Sequence, residues 1–292
     1  YSSAASDVYK RQLLIWMIVN MERLVNMKKL ISYLQNPYIK IFITPLALIL
    51  FGALLGVNHA QEAQWLSLIL LYLLALSSQL VKHCLHLAHD QNHPIGQQKS
   101  ILWTCEIILG LSSILLMIRQ HWIISILILL YIVYIHISYY PYNISNSIYI
   151  LILAVFYEAF ILNIIAYYSQ VSAINTEFLF HLIPVAIVYT GVYIQTFKLK
   201  DDLSIYEPSP IWPRLRMLGI ILSFLALGFG FYYALPSNSY YILQILFVLV
   251  TGLTMIPMLV PTRSQKETQR KINYFSTILL IFTLFYSLAT LY

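Results

Sequence analysis

Long apolar runs separated by short polar segments dominate the chain from residue 40 onward. A helix crosses a bilayer with about 20 mostly apolar residues, and nine runs approach or exceed that length. They cover 40–57, 65–82, 101–118, 121–139, 146–168, 177–197, 214–235, 240–260 and 272–291. The runs are apolar on all sides and do not alternate, so they predict helices and not the strands of a barrel. The pattern predicts an all-α integral membrane protein whose nine transmembrane helices form a bundle around a central cavity.

Composition supports this class. Of the 292 residues, 60% are hydrophobic and 10% are charged, whereas soluble domains carry about 25% charged residues. Two cysteines are too few for a disulfide framework. We interpret the formal net charge of +6 as basic loops on one side of a lipid bilayer, with no nucleic-acid partner.

The lysines and arginines predict an orientation. With the N-terminus in the cytoplasm, the loops after helices 2, 6 and 8 also face the cytoplasm, whereas the opposite loops contain only Arg119. The three cytoplasmic loops carry Lys82, Lys99, Lys198, Lys200, Arg214, Arg216, Arg263, Lys266, Arg270 and Lys271. We therefore expect a plasma-membrane protein, of bacterial type, with its polar loops in the cytoplasm.

The first 26 residues do not fit the pattern. The opening "YSSAASDVYKRQ" has no apolar period and resembles the translation of a transposon adapter, so we expect 1–26 to be an assembly artefact. The start is expected at Met27, with Met17 and Met21 as alternatives, and 27–292 is expected to form one transmembrane domain.

Half of the eight histidines lie in one stretch, "HCLHLAHDQNH", from His83 to His93. On a helical projection Gln79, His83, His86 and Asp90 fall within about 60° of one another. Polar groups on one face of a membrane helix indicate a cavity rather than lipid. Lys82 lies off this face and is expected to reach toward solvent.

A second polar face follows helix 6. Gln195, Lys198 and Asp202 share one side of that helix, beside Asp201 and Lys200. In helix 5, Glu158 lies in mid-span, where an acid is costly and usually faces the protein interior. Glu158 is therefore a candidate cavity residue, with a tyrosine hydrogen bond as the alternative explanation.

Three kinds of chemistry fit the histidine face. Histidine and aspartate suit a divalent transition metal, protonated histidines with nearby lysines suit a diphosphate, and a helix end in contact with water needs neither. The single histidine cluster argues against a di-iron oxygenase, which needs several.

The chain resembles the UbiA-type intramembrane prenyltransferases, closest to the dihydroxynaphthoate branch of menaquinone synthesis. Three stretches carry the resemblance: "NPYIKIFITPLALILFGALLG" (36–56), "SSQLVKHCLHLAHD" (77–90) and "AYYSQVSAINTEFLFHLIPVAIVYTGVYIQTFKLKDD" (166–202). The resemblance implies transfer of a prenyl chain from a prenyl diphosphate to an aromatic acceptor, with a divalent cation holding the diphosphate.

The resemblance also implies site residues. The metal–diphosphate would be held by His83, His86 and Asp90, and Asp90, Asp201 and Asp202 would be the catalytic acids. The substrates would contact Gln79, Lys198, Lys200, Tyr140 and Glu158. His83 and His86 stand where the family has aspartates, and Leu199 and Leu203 occupy acidic positions of the second motif. The resemblance implies Mg²⁺, whereas the imidazoles would favour Zn²⁺, Mn²⁺ or iron.

Two other functions stay open. A chain that has lost the acids of this chemistry would keep the fold and bind an isoprenoid or a quinone. A membrane protein of another class would use the histidine cluster to handle a transition metal or haem.

Overall fold

The computed structural model describes residues 37–90, 95–139, 144, 147–203, 211–235 and 241–291. Residues 1–26, the three alternative start methionines, Tyr140 and His93 lie outside the described residues. Asp90 is described as the last residue of a helix, but its side chain lies outside the described part.

Nine helical segments make up the described chain, and it contains no strand. They are α1 Pro37–His59, α2 Trp65–Asp90, α3 Ile95–Arg119, α4 Trp122–Ile137, α5 Ile148–Val171, α6 Thr176–Asp201, α7 Ile211–Ala234, α8 Tyr241–Met255 and α9 Gln265–Leu291. A short 3₁₀ turn, Ile256–Met258, continues α8, and a π-helical turn, Val155–Ile161, interrupts α5. The all-α prediction is confirmed, and each apolar run coincides with one helix.

Eight of these helices are long and apolar enough to cross a membrane within the described ranges. The exception is α4, which has 16 residues. At about 1.5 Å per residue it extends roughly 24 Å, less than the roughly 30 Å of a hydrocarbon core. The structure therefore supports an integral membrane protein with eight candidate spans, and the ninth span stays a prediction.

The bundle has two chemically different ends. The end that holds Lys40 of α1, His83 of α2 and Lys200 of α6 is called the basic end, because these side chains are close enough to interact electrostatically. At the opposite end, His59 of α1 and Glu177 of α6 line one cleft.

Two pairs of helices pack backbone to backbone. A methyl group at Gly52 in α1 would lie 2.0 Å from the carbonyl oxygen of Asn163 in α5, and the Gly52 amide donates to Asn163 Oδ1 at 2.9 Å. Gly191 in α6 also lies close to α7, because a methyl group added to it would be 2.6 Å from the carbonyl oxygen of Gly219. Small residues allow such approach where lipid provides no hydrophobic driving force between helices.

Aromatic rings fill the interior where α1, α5, α6 and α9 meet. Tyr167 stacks on Phe178 at 4.0 Å between ring centroids, and Phe51 stacks on Tyr286 at 5.2 Å. All four rings are fully buried. In this part of the bundle, side chains and not an open cavity occupy the interior.

Candidate functional site

The helix that carries the histidines, α2, buries its apolar side against the bundle. Leu71, Leu74 and Val81 are fully buried in the core. The polar side of the same helix leads from Gln79 in the interior to His83, which is exposed, and to His86. The His86 ring lies 6.4 Å from the ring of Tyr139, just beyond α4. Gln79, His83 and His86 thus form a path from the interior to the basic end.

A buried ion pair lies at the inner end of this path. The ammonium of Lys82 in α2 contacts the carboxylate of Glu158 in α5, and the two side chains are 17% and 4% exposed. The hydroxyl of Tyr193 in α6 donates to the other carboxylate oxygen. Gln79 Nε2 donates to Glu158 at 3.3 Å, and the hydroxyl of Tyr134 in α4 lies at 3.4 Å. Four helices therefore converge on one carboxylate.

The helix α5 is irregular at the residue that accepts these contacts. Glu158 lies within the π-helical turn Val155–Ile161, in which one extra residue widens the helix. Such turns occur frequently at functional sites. The turn is flanked by regular α-helix, Ile148–Ala154 and Leu162–Val171, so the distortion is confined to the segment that presents Glu158.

The ion pair corrects the expectation for Lys82. Lys82 was expected to reach toward solvent, but its ammonium turns into the bundle, where it also donates to Tyr134 Oη at 3.1 Å. The physical reason is the length of the lysine stem. A four-carbon chain that starts about 60° from the centre of the polar face can still reach a carboxylate on that side.

The structure divides the second polar segment between two sides of α6. Tyr193, which contacts Glu158, and Lys200 are seven residues apart, so they share one face of the helix. Gln195 lies on the other side, where its Nε2 donates to the carbonyl oxygen of Arg216 in α7 at 2.5 Å. Lys198 pairs with Asp202 on its own helix, and Asp201 is buried.

Gln195 of this polar face therefore packs against α7. Lys198 of the same face lies within electrostatic range of Lys271 in α9. The sequence pattern identified a polar face correctly but could not indicate which neighbour it meets. Whether Lys198, Asp201 and Asp202 contact a substrate stays a prediction.

Positive charge concentrates at the basic end. His83 lies within electrostatic range of Lys40, His86 and Lys200, which come from α1, α2 and α6. Lys40 and Lys200 also lie within electrostatic range of each other. Their ammonium groups come from separate helices, and an anion placed between them would interact favourably with both.

The same charges bear on the predicted metal site. In the described residues, no group of three histidine, cysteine, aspartate or glutamate side chains is arranged to hold a metal ion. His83 and His86 are one helical turn apart, but Lys40 and Lys200 beside His83 would repel a divalent cation. The described donors therefore fit an anion better than a metal, and the cation implied by the resemblance stays a prediction.

Comparison with known proteins does not identify the chain: no protein-family model, no curated protein and no solved structure matches it.

Proposed function

We propose that this protein binds a prenyl diphosphate at its basic end and transfers the prenyl chain to an aromatic acceptor within the membrane. The observation that carries the proposal is the convergence of Lys40, His83 and Lys200 from three helices. A diphosphate is a compact anion, and its binding by lysine ammonium groups and by the N–H donor of an imidazole is favourable. The apolar helices around this end suit the prenyl chain.

The proposal also includes the orientation of the protein in the membrane. The basic end would face the cytoplasm, in accord with the rule that cytoplasmic loops carry the excess of lysine and arginine. The prenyl chain would extend from the basic end along apolar helix surfaces. Gln79 would contact the substrate between the diphosphate and the interior, and His86 would lie one turn beyond His83, on the outer side.

In this proposal the cationic side chains take over part of the role that a metal has in the resembling family. When the diphosphate leaves, negative charge develops on its oxygens, and lysines placed beforehand stabilise that charge. Electron density from the acceptor ring then forms the new carbon–carbon bond to the prenyl carbon. The ring proton is lost to a base afterwards.

The test is turnover by purified protein in lipid nanodiscs. Radiolabelled geranyl or farnesyl diphosphate is supplied with a panel of hydroxylated benzoates and naphthoates, without metal and then with Mg²⁺, Mn²⁺ or Zn²⁺. The proposal expects a labelled lipid product that Lys200→Gln reduces at least tenfold. The matched control is Lys198→Gln, because Lys198 lies on the other side of α6. Absence of product under every condition would contradict prenyl transfer.

Two observations favour a second function. The acid of the second segment, Asp202, is already paired with Lys198, and the first segment carries histidines where the resembling family has acids. A non-catalytic protein that binds an isoprenoid diphosphate would need only the cationic side chains. Tight diphosphate binding without turnover would support this function, whereas stoichiometric haem in the purified protein would contradict both and favour a haem-handling function.

A further inference from the structure

A cleft of about 420 Å³ opens at the end of the bundle opposite the basic end. Its volume lies within the roughly 300–1,000 Å³ of small-molecule sites. Nearly the whole length of α1, about 30 Å at 1.5 Å per residue, separates it from Lys40. The cleft is lined by His59, Tyr167, Val171, Ala173, Ile174, Asn175 and Glu177. None of these residues belongs to the proposed diphosphate site.

One side of the cleft is formed by an oriented imidazole. His59 Nδ1 is hydrogen-bonded to the hydroxyl of Tyr167 at 3.0 Å, and the two rings meet edge to face at 5.8 Å. Within the described chain, no hydrogen bond reaches His59 Nε2. The two ring nitrogens are coupled: Nε2 donates when the tyrosine donates to Nδ1, and accepts when the tyrosine accepts. The imidazole can therefore pair with a hydroxyl or with a carbonyl.

The other side carries an oriented carboxylate. Glu177 Oε1 lies 3.8 Å from Nε2 of His181, one turn further along α6. His181 is itself hydrogen-bonded through Nδ1 to the hydroxyl of Tyr286 at 3.3 Å. The Glu177 amide donates to Asn175 Oδ1 at 3.2 Å, which caps the helix. The carboxylate therefore lies at the rim of the cleft, with His181 beside it on the same helix, and its side chain is largely exposed.

The wall between the two polar groups is rigid and apolar. Tyr167 is backed by Phe178, and their rings stack at 4.0 Å. Val171 and Ile174 add aliphatic surface. Between them, Ser172 adopts a left-handed conformation, with φ 58°, that reverses the chain at the end of α5.

We propose that this cleft binds a small hydroxylated aromatic ring, such as a quinol or phenol headgroup, from the membrane interface. One hydroxyl would donate to Glu177, and the second oxygen would pair with Nε2 of His59. The ring would lie against the aliphatic side chains of Val171 and Ile174, which also line the cleft. This site does not depend on the proposed prenyl transfer.

Binding of 1,4-naphthalenediol to the full chain in zwitterionic nanodiscs, kept anaerobic, tests the proposal by equilibrium dialysis. His59→Asn and Glu177→Gln are each expected to raise the Kd about tenfold, as expected for loss of a hydrogen bond to a charged or oriented group. Ala173→Trp fills the cleft and is expected to abolish binding. The matched control is His121→Asn, since His121 lies between α3 and α4 at the same end but outside the cleft.

Equal affinity of wild type, His59→Asn and Glu177→Gln would overturn the proposal, as would equal loss in His121→Asn. Tighter binding of phenethylamine than of the diol would overturn the ligand chemistry, because a carboxylate beside an aromatic ring also suits an ammonium. Farnesyl diphosphate binding, measured on the same variants, is expected to stay unchanged. Loss of farnesyl diphosphate binding alone would count against the diphosphate site and not against this cleft.

Discussion

Removal of the Glu158 charge is the perturbation for which the structure gives the clearest magnitude. In Glu158→Gln the side chain keeps its size, but the ammonium of Lys82 stays in the bundle without its counter-charge. The Lys82 and Glu158 side chains are 17% and 4% exposed, so water can do little to stabilise the unpaired ammonium. Breaking one side of a buried ion pair costs about 3–5 kcal/mol. At about 2–4 °C per kcal/mol for a chain of roughly this size, Tm should fall by roughly 6–20 °C.

The assay is thermal unfolding in detergent micelles, followed by tryptophan fluorescence. The matched control is Glu106→Gln, because Glu106 in α3 also pairs within a span, with His136 Nε2 at 3.1 Å. Its loss removes one hydrogen bond to an imidazole and leaves no unpaired ammonium inside the bundle, so it should cost about 0.5–1.5 kcal/mol. The double variant Lys82→Met with Glu158→Leu should recover most of the stability, because no charge is left buried.

Equal Tm losses in Glu158→Gln and Glu106→Gln would refute this reasoning. The same conclusion would follow if the double variant were no more stable than Glu158→Gln, since the cost would then arise from shape and not from the unpaired charge.

Three further outcomes follow from the packing and are measurable as Tm in the same micelles. Gly52→Ala should be severely destabilising, since its methyl group would lie 2.0 Å from the Asn163 carbonyl oxygen. Gly110→Ala, with no atom within 4 Å of the added methyl group, should leave stability unchanged or raise it by up to about 1 kcal/mol. Equal effects of the two substitutions would contradict the α1–α5 contact. Tyr193→Phe should cost about 1.5–3 kcal/mol of stability, because it removes a hydrogen bond to a charged carboxylate. The control Tyr241→Phe, at an exposed position, should not change stability. Equal Tm values for the two variants would contradict the Tyr193–Glu158 contact. Ser172→Gly should preserve or raise Tm. Ser172→Val should lower Tm, at a cost of about 1–2 kcal/mol of stability, because a β-branched residue tolerates a φ of 58° poorly. The reverse order of the two variants would contradict the left-handed turn.

The helices could be predicted from sequence because each apolar run contains its own signal. Lipid satisfies no backbone polar group, so a long apolar run has to be helical whatever its neighbours are. The fourth run shows the limit of that reasoning. It forms a helix of 16 residues, Trp122–Ile137, because "SYYPYN" follows it and Pro141 cannot continue a helix.

The site was only partly predictable, because its contacts join distant segments. Gln79, His83 and His86 could be grouped on one face from spacing alone, and Glu158 could be selected because an acid in a span is costly. The partners of Glu158 could not be predicted, because Lys82 and Tyr193 are recognisable as partners only when α2 and α6 pack beside α5. In α6, a periodic pattern identified the Gln195 face, but Lys200 on the opposite face is the residue within electrostatic range of His83 in α2.

The π-helical turn at Glu158 and the cleft at His59 left no sequence signal that spacing rules detect. A π turn needs one extra residue in an apolar run, and "VFYEAFI" has no glycine or proline to mark it. The cleft combines residues from α1, α5 and α6, and its histidine is isolated in sequence.

The most direct test of the central claim is the Kd of farnesyl diphosphate for the wild type, Lys200→Gln and Lys198→Gln, measured without metal at low ionic strength. The convergence of Lys40, His83 and Lys200 predicts that Lys200→Gln raises the Kd at least tenfold, as expected for loss of a charge-assisted contact of about 1.5–3 kcal/mol. Lys198→Gln, on the other face of α6, should change the Kd less than threefold. Equal Kd values for the two variants, or binding as tight to uncharged farnesol, would contradict an anion site at the basic end.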